Sequence, residues 1–209
     1  MVRNARSHNR RAPQQQGFPH VLIVCEGKKT EPLYLNRLKF VHGLSSVHVE
    51  HMGSTNPMAI VRYALAELKK SDEWERAYCV FDGDVAVNLN AARGLLKSSR
   101  PAKAGRLFEI LSVPCIEFWF LLHFEYTTKS YTRMASKSPC DALQDDLKKH
   151  WASYDKADRG IFDELYSKMP TALANAHKLA KDQASTNSPN PATRMHLLVE
   201  YLVNLKKRP

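Results

Sequence analysis

The stretch HVLIVCEGKKTEP, residues 20–32, decides how the rest of the chain reads. Its first half is a short continuous apolar run rich in β-branched residues, the pattern of a strand buried on both faces. The run ends at Glu26 and Gly27. Thr30, Glu31 and Pro32 then open a helix, with Thr30 expected at the N-cap and proline in the first turn.

The same alternation continues downstream. VHVEHM (47–52) alternates as a second strand. Asn56 is the expected N-cap of a helix over 57–70, with Pro57 first and Ile60, Val61, Ala64, Leu65 and Leu68 on one face. RAYCVFDGD (76–84) reads as a third strand with its exit loop, AARGLLKS (91–98) as a short helix and RLFEILS (106–112) as a fourth strand. Strands alternating with helix-length crossovers predict an α/β fold, with a mainly parallel, Rossmann-like sheet of about four strands and flanking helices. PCIEFWFLLHFEY (114–126) is apolar throughout and is expected to be buried, helical or irregular. From Ser138 onward the pattern is helical, including the segment NPATRMHLLVEYLVNL, where Asn190 or Thr193 is a candidate cap. The expected organisation is a basic disordered arm (1–19), an α/β domain (20–130) and a helical C-terminal subdomain packed on the sheet (131–209).

The formal net charge is +10, yet Arg3, Arg6, Arg10, Arg11, Lys206, Lys207 and Arg208 account for most of it; without these seven it is +3. Basic tails suit a polyanion, because Lys and Arg displace counterions from phosphates. The plainer reading is a solvated terminus that aids solubility. The four cysteines, Cys25, Cys79, Cys115 and Cys140, lack C-x-x-C spacing, and the three in apolar stretches are expected to pack as small hydrophobes in a reducing compartment. No apolar run approaches the ~20 residues of a membrane span, and no secretory segment is visible, so a cytoplasmic protein without a membrane partner is expected.

Glu26-Gly27-Lys28-Lys29-Thr30 is not a phosphate loop of the G-x-x-x-x-G-K-[ST] type: Lys29 stands where Ser or Thr is required and no glycine precedes. Asp82-Gly83-Asp84 follows the third strand directly. Two carboxylates at a parallel strand exit can face the crevice where α/β sheets bind ligands. If the Glu26 strand is its neighbour, three acids converge, and a hard cation such as Mg²⁺ or Mn²⁺ relieves their repulsion. Taken singly, Asp-Gly-Asp also fits a tight turn and Glu26 a helix N-terminus. Glu117, inside the apolar block, is either a second-metal ligand or the partner of a buried Arg or Lys. His123 lies six residues further on, about 240° around a helix, and is either a catalytic group or a satisfied core histidine. Lys28 and Lys29 precede a helix N-terminus, where they can contact phosphate. Lys156 can reach a phosphate or pair with an acid.

The order strand–Glu–Gly, helix, strand, helix, strand–Asp-x-Asp resembles the Toprim domain of topoisomerases, primases, recombination proteins and OLD-type nucleases. More specifically, IVCEGKKTEPLYLNRL, YCVFDGD, PCIEFWFLLHFE and NPATRMHLLVEYL resemble the RloB-like family of prokaryotic restriction and defence loci, over most of residues 20–205. The resemblance implies a divalent-metal-dependent nuclease acting on RNA, tRNA included, or on DNA in anti-phage or restriction-linked defence. Glu26, Asp82 and Asp84 would hold Mg²⁺ (or Mn²⁺), with Glu117 holding a second ion and His123 a further catalytic candidate. Lys28, Lys29 and Lys156 would contact substrate phosphates. The implied partners are nucleic acid and a protein of the defence system. A non-cleaving binding or regulatory module is the alternative. Two positions depart from the family pattern: Val113 where asparagine is usual, and Ala192 where serine is.

Overall fold

Strand β1 (His20–Cys25) is buried from Val21 through Cys25, as an uninterrupted apolar run requires of a strand covered on both faces. The computed structural model describes residues 19–53, 56–84 and 88–207; all but the last residue of the expected basic arm lies outside them. After β1 come α1 (Thr30–Val41), β2 (Val47–His51), α2 (Pro57–Lys70), β3 (Trp74–Asp82), α3 (Leu89–Ser98), α4 (Arg100–Lys103) and β4 (Leu107–Val113). Then follow α5 (Glu117–Leu121), α6 (Pro139–His150), α7 (Ile161–Tyr166), α8 (Met169–Thr186), β5 (Ala192–Thr193) and α9 (Met195–Val203).

The strand order is β2-β1-β3-β4-β5. The first three pairings are parallel and only β5 runs antiparallel. This is a Rossmann-like α/β sheet. Strands β1–β4 are the four expected from the sequence, and β5 adds a short fifth at the edge. Its two residues pair with Ser112 and Val113 inside a segment that reads as the approach to a helix. The Ser112 and Thr193 hydroxyls, 3.0 Å apart, and Arg194 N–H on the Leu111 carbonyl fix it there. Asn190 does not cap α9: its side chain accepts from Tyr131 N–H and donates to Tyr131 O. Asn56 caps α2 as expected, accepting from Met58 N–H.

Alternate residues of the strands feed two cores. Val21, Ile23, Cys25, Tyr78, Val80 and Ile110 pack against α1, α5 and the C-terminal helices. Leu22, Val24, Ala77, Cys79 and Phe81 pack under α2 and α3. The apolar block forms the short helix α5, whose Phe118, Trp119 and Phe120 are fully buried. Trp119 Nε1–H donates to the Tyr34 hydroxyl at 3.0 Å, tying α5 to α1. Tyr34→Phe would leave that buried donor without a partner, so a loss of about 1–3 kcal/mol is expected in urea unfolding, with an unchanged m-value.

Two cysteines depart from the expected pattern. Cys25 and Cys79 are free and buried among apolar side chains, but Cys115 and Cys140 are joined as a disulfide. The pairing is invisible in sequence because it depends on α6 folding back over the turn after β4. Among the described residues, no helix is long and apolar enough to cross a membrane.

Candidate metal and phosphate site

The chain leaves β1 toward β2 on one side and reaches β3 on the other, so the C-terminal ends of β1 and β3 form the point where strand order reverses. Open α/β sheets bind ligands at such crevices. Glu26 and Asp82 both stand there. Glu26 N–H donates to the Val80 carbonyl, and Asp82 N–H donates to Glu26 Oε2 at 3.2 Å. The adjacency on which the sequence argument depended is therefore present.

The loop after β3 is clasped to the end of β4. Gly83 N–H reaches the Ser112 and Pro114 carbonyls, and Asp84 N–H the Pro114 carbonyl. A Cβ on Gly83 would come within 2.6 Å of Val113 Cγ2 and 3.2 Å of Ser112 O, so only glycine permits this approach. The departure at Val113 thus faces the loop backbone. Asp82 Oδ1 accepts from Ile116 N–H at 3.0 Å, which ties the carboxylate to the turn leading into α5.

Glu117 projects from the first turn of α5 and is 1% exposed. Its Oε1 accepts from the Tyr154 hydroxyl at 3.0 Å and meets Lys156 Nζ at 3.2 Å. The cation-partner alternative for Glu117 is thus realised, with a lysine that is itself half-exposed. Lys156 is held from behind by Thr30, whose hydroxyl donates to the Lys156 carbonyl at 3.2 Å. That corrects the expected cap: α1 starts at Thr30 itself, and no side chain caps it.

Glu31, which in the sequence is a helix-start residue, belongs to this site. It is 5% exposed, and Gly27 N–H donates to its Oε1 at 3.4 Å. A Cβ on Gly27 would stand 2.5 Å from Glu31 Oε2, so glycine makes room for this carboxylate. The available signal was spacing: Glu31 stands in the first turn of α1, facing back toward the strand exit that carries Glu26.

The charges act on one another. Burial first, then Glu31, Glu117, Asp84 and Glu26, hold the Asp82 carboxyl well above the usual carboxylate range. Burial, with Glu31 and Asp84, pushes Glu26 up to about 7 despite the Asp82 N–H bond. Glu31 is raised by burial and by Glu117. Burial works against the charge of Lys156, but Glu117, Asp82 and Asp84 outweigh it and raise its pKa. Five carboxylates converge, and Lys156 is bonded to Glu117 among them.

The donor set suits a hard divalent cation: all oxygen, anionic and mutually repelling. Glu26, Asp82 and Glu117 each use one oxygen in the bonds above and keep the other for a ligand. Among the described residues, no group of three or more His, Cys, Asp or Glu side chains stands ready-made to hold a metal ion. Ile116 N–H, Tyr154 and Lys156 orient the carboxylates separately, so ligation would require them to turn inward.

Lys28 and Lys29 are exposed beside Glu26 and have no ion pair among the described residues. His123 lies elsewhere. It packs edge-on against Trp119, its Nδ1 bonds the Trp119 carbonyl at 2.9 Å, and its buried Nε2 has no partner among the described residues. Burial lowers it to about 4, and no hydrogen bond joins it to the carboxylates. It is a neutral histidine of the aromatic core.

A profile of the RloB-like protein family matches residues 21–202. The chain belongs to the RloB-like family. The matched span runs from β1 into α9, so it includes every carboxylate of the site together with Tyr154 and Lys156. Comparison with curated proteins and with solved structures gives no match.

Proposed function

We propose that this RloB-like chain is a divalent-metal-dependent nuclease of Toprim type that cleaves phosphodiester bonds in RNA, tRNA included, or in DNA. The observation that carries the reading is the convergence of Glu26, Glu31, Asp82, Asp84 and Glu117 at the β1–β3 crevice, where burial, and then repulsion among them, raises Asp82. Glu26, Asp82, Asp84 and Glu117 would hold Mg²⁺ or Mn²⁺. When bound, such a cation supplies Lewis-acid stabilisation of charge developing on phosphate oxygens.

The protein groups do the rest. Lys28 and Lys29 draw in the phosphate backbone, and Lys156 sits where it can balance negative charge between Glu117 and a substrate. A carboxyl at about 7 exchanges its proton near neutral pH, so Glu26 Oε1 suits taking up or returning a proton during phosphodiester cleavage. The biological setting we propose is prokaryotic anti-phage or restriction-linked defence, with a partner protein of the same system.

The test is incubation of the protein with tRNA, single-stranded RNA and DNA in Mg²⁺, Mn²⁺ or EDTA, beside Glu26→Gln and Asp82→Asn. Cleavage that requires the cation and both acids supports the reading; cleavage that survives EDTA or both substitutions overturns it. Cation binding without cleavage of any substrate would favour the non-cleaving module. Lys28→Ala with Lys29→Ala should weaken nucleic-acid binding about equally across sequences. The slope of log K against log salt should fall by about 2, read by fluorescence anisotropy.

A further inference from the structure

Cys115 and Cys140 border the carboxylate cluster without belonging to it. Cys115 follows Pro114 in the turn before α5. Cys140 lies in the first turn of α6, 25 residues later, with Cα atoms 6.0 Å apart. Cys140 Sγ also stands 3.1 Å from Asp84 Oδ2. A disulfide sulfur has no proton to give, so this contact is a hydrogen bond only when the pair is reduced. In the disulfide, two electron-rich atoms face one another instead. Both cysteines are buried, but Asp84 is exposed, which leaves the pair one side chain from solvent.

We propose that Cys115 and Cys140 are a reversibly oxidised site whose state sets how readily Asp84 turns to a divalent cation. The proposal rests on the cation reading above. Oxidised glutathione, or another low-molecular-weight disulfide, is a sufficient oxidant. One cysteine thiolate attacks a glutathione sulfur and expels one glutathione thiolate, forming a mixed disulfide. The second cysteine attacks the protein sulfur of that mixed disulfide and expels the other glutathione. Two electrons pass from the cysteine pair to glutathione, and the two thiol protons leave with the two glutathione thiols.

In the reduced state Cys140 S–H donates to Asp84 Oδ2, a bond that cation ligation must weaken. In the disulfide that competitor is gone. A hydrogen bond to a charged group contributes about 1.5 kcal/mol at the low end, fitting for a weak thiol donor, and that is about tenfold in affinity. Mn²⁺ should therefore bind about tenfold more tightly to the oxidised protein. By reciprocity, saturating Mn²⁺ should lower the midpoint potential of the pair by about 30 mV.

The experiment uses the full chain equilibrated with reduced or oxidised glutathione and then desalted without air. Alkylation mass shifts read the disulfide, and electron paramagnetic resonance reads free Mn²⁺ in a titration. Cys115→Ala keeps the Cys140 donor and cannot form the disulfide, so wherever the mass shift shows Cys140 unmodified it should bind Mn²⁺ like the reduced protein. Cys140→Ala removes the donor and should bind like the oxidised protein under both. Cys140→Ser restores a donor and should return to the reduced value. Equal Mn²⁺ affinity in the two states of the unmodified chain overturns the coupling, as does failure of oxidised glutathione to form the disulfide. Absence of Mn²⁺ binding in either state overturns the cation reading and the coupling together, which separates the two failures.

Discussion

Asp82→Asn should abolish detectable cleavage, weaken Mn²⁺ binding at least about a hundredfold, and still raise the melting temperature of the metal-free protein. On the proposed function, the first two effects follow from removing a charged ligand, since a bound cation would supply several kcal/mol of charge stabilisation. The third follows from the environment. Asp82 is raised first by burial and then by Glu31, Glu117, Asp84 and Glu26, so its ionised form is what the folded protein resists. Asparagine keeps an oxygen for Ile116 N–H and removes the repulsion. In EDTA the melting temperature should rise by roughly 2–4 °C for each kcal/mol of repulsion removed. In Mn²⁺ the order should invert, because only the unsubstituted protein gains binding energy, about 2.7 kcal/mol at a hundred times the dissociation constant. Scanning calorimetry in EDTA and in Mn²⁺ checks both halves. A variant less stable than the unsubstituted protein in EDTA would show that Asp82 serves the fold rather than a cation.

That inversion is the mark of a site that works against its own scaffold, and it explains which parts of the site were legible in the sequence. Glu26, Asp82 and Asp84 were readable because each interrupts or ends an apolar strand, where a carboxylate has no reason to be except chemistry or a turn. The sheet was readable for the same reason: β1 and β3 are runs that only burial on both faces explains. Glu31 was not, because an acid in the first turn of a helix is already explained by the macrodipole. Its second role depends on α1 aiming its N-terminus at the exits of β1 and β3, which is a tertiary fact. Thr30 is masked in the same way: a threonine before Glu-Pro fits a cap, yet its hydroxyl donates to the Lys156 carbonyl from far along the chain.

The C-terminal region shows a different limit. Its helices are written clearly in the sequence, but their contribution to the site comes from the segment between α6 and α7. Tyr154 and Lys156 reach Glu117 from that segment, and Thr193 reaches Ser112 from β5. The α/β half therefore supplies the acids, and the helical half supplies the donors that hold Glu117 in place, the Tyr154 hydroxyl and the Lys156 ammonium. Neither half alone completes the arrangement.

Replacing Glu26 by Gln should make the metal-free protein increasingly more stable than the unsubstituted chain as pH rises from about 4.5 to about 7. The sign follows from linkage. A carboxyl whose folded value is raised binds its proton more tightly in the native state, so stability is lost as pH rises through that window and is level above it. Asp82 and Glu31 are raised and act in the same direction. His123 and His196, each lowered to about 4, act oppositely, because the native state binds fewer protons there. The difference between the two proteins cancels those histidines and leaves Glu26 together with the repulsion it adds to Asp82. At 1.36 kcal/mol per pKa unit its full effect is at most about 3 kcal/mol, reduced by screening from the open side of the crevice. Paired urea titrations at pH 4.5, 6 and 8 measure it, and a difference that does not grow with pH would place Glu26 outside the repelling cluster. The same proton governs the cation. Below about pH 7, binding must displace it, so Mn²⁺ affinity should fall toward tenfold per pH unit in the unsubstituted protein and less steeply in Glu26→Gln. A cation that neutralises the cluster should also remove the loss of stability between about pH 4.5 and 7, which ties the proton, the ion and the fold to one carboxylate at the end of β1.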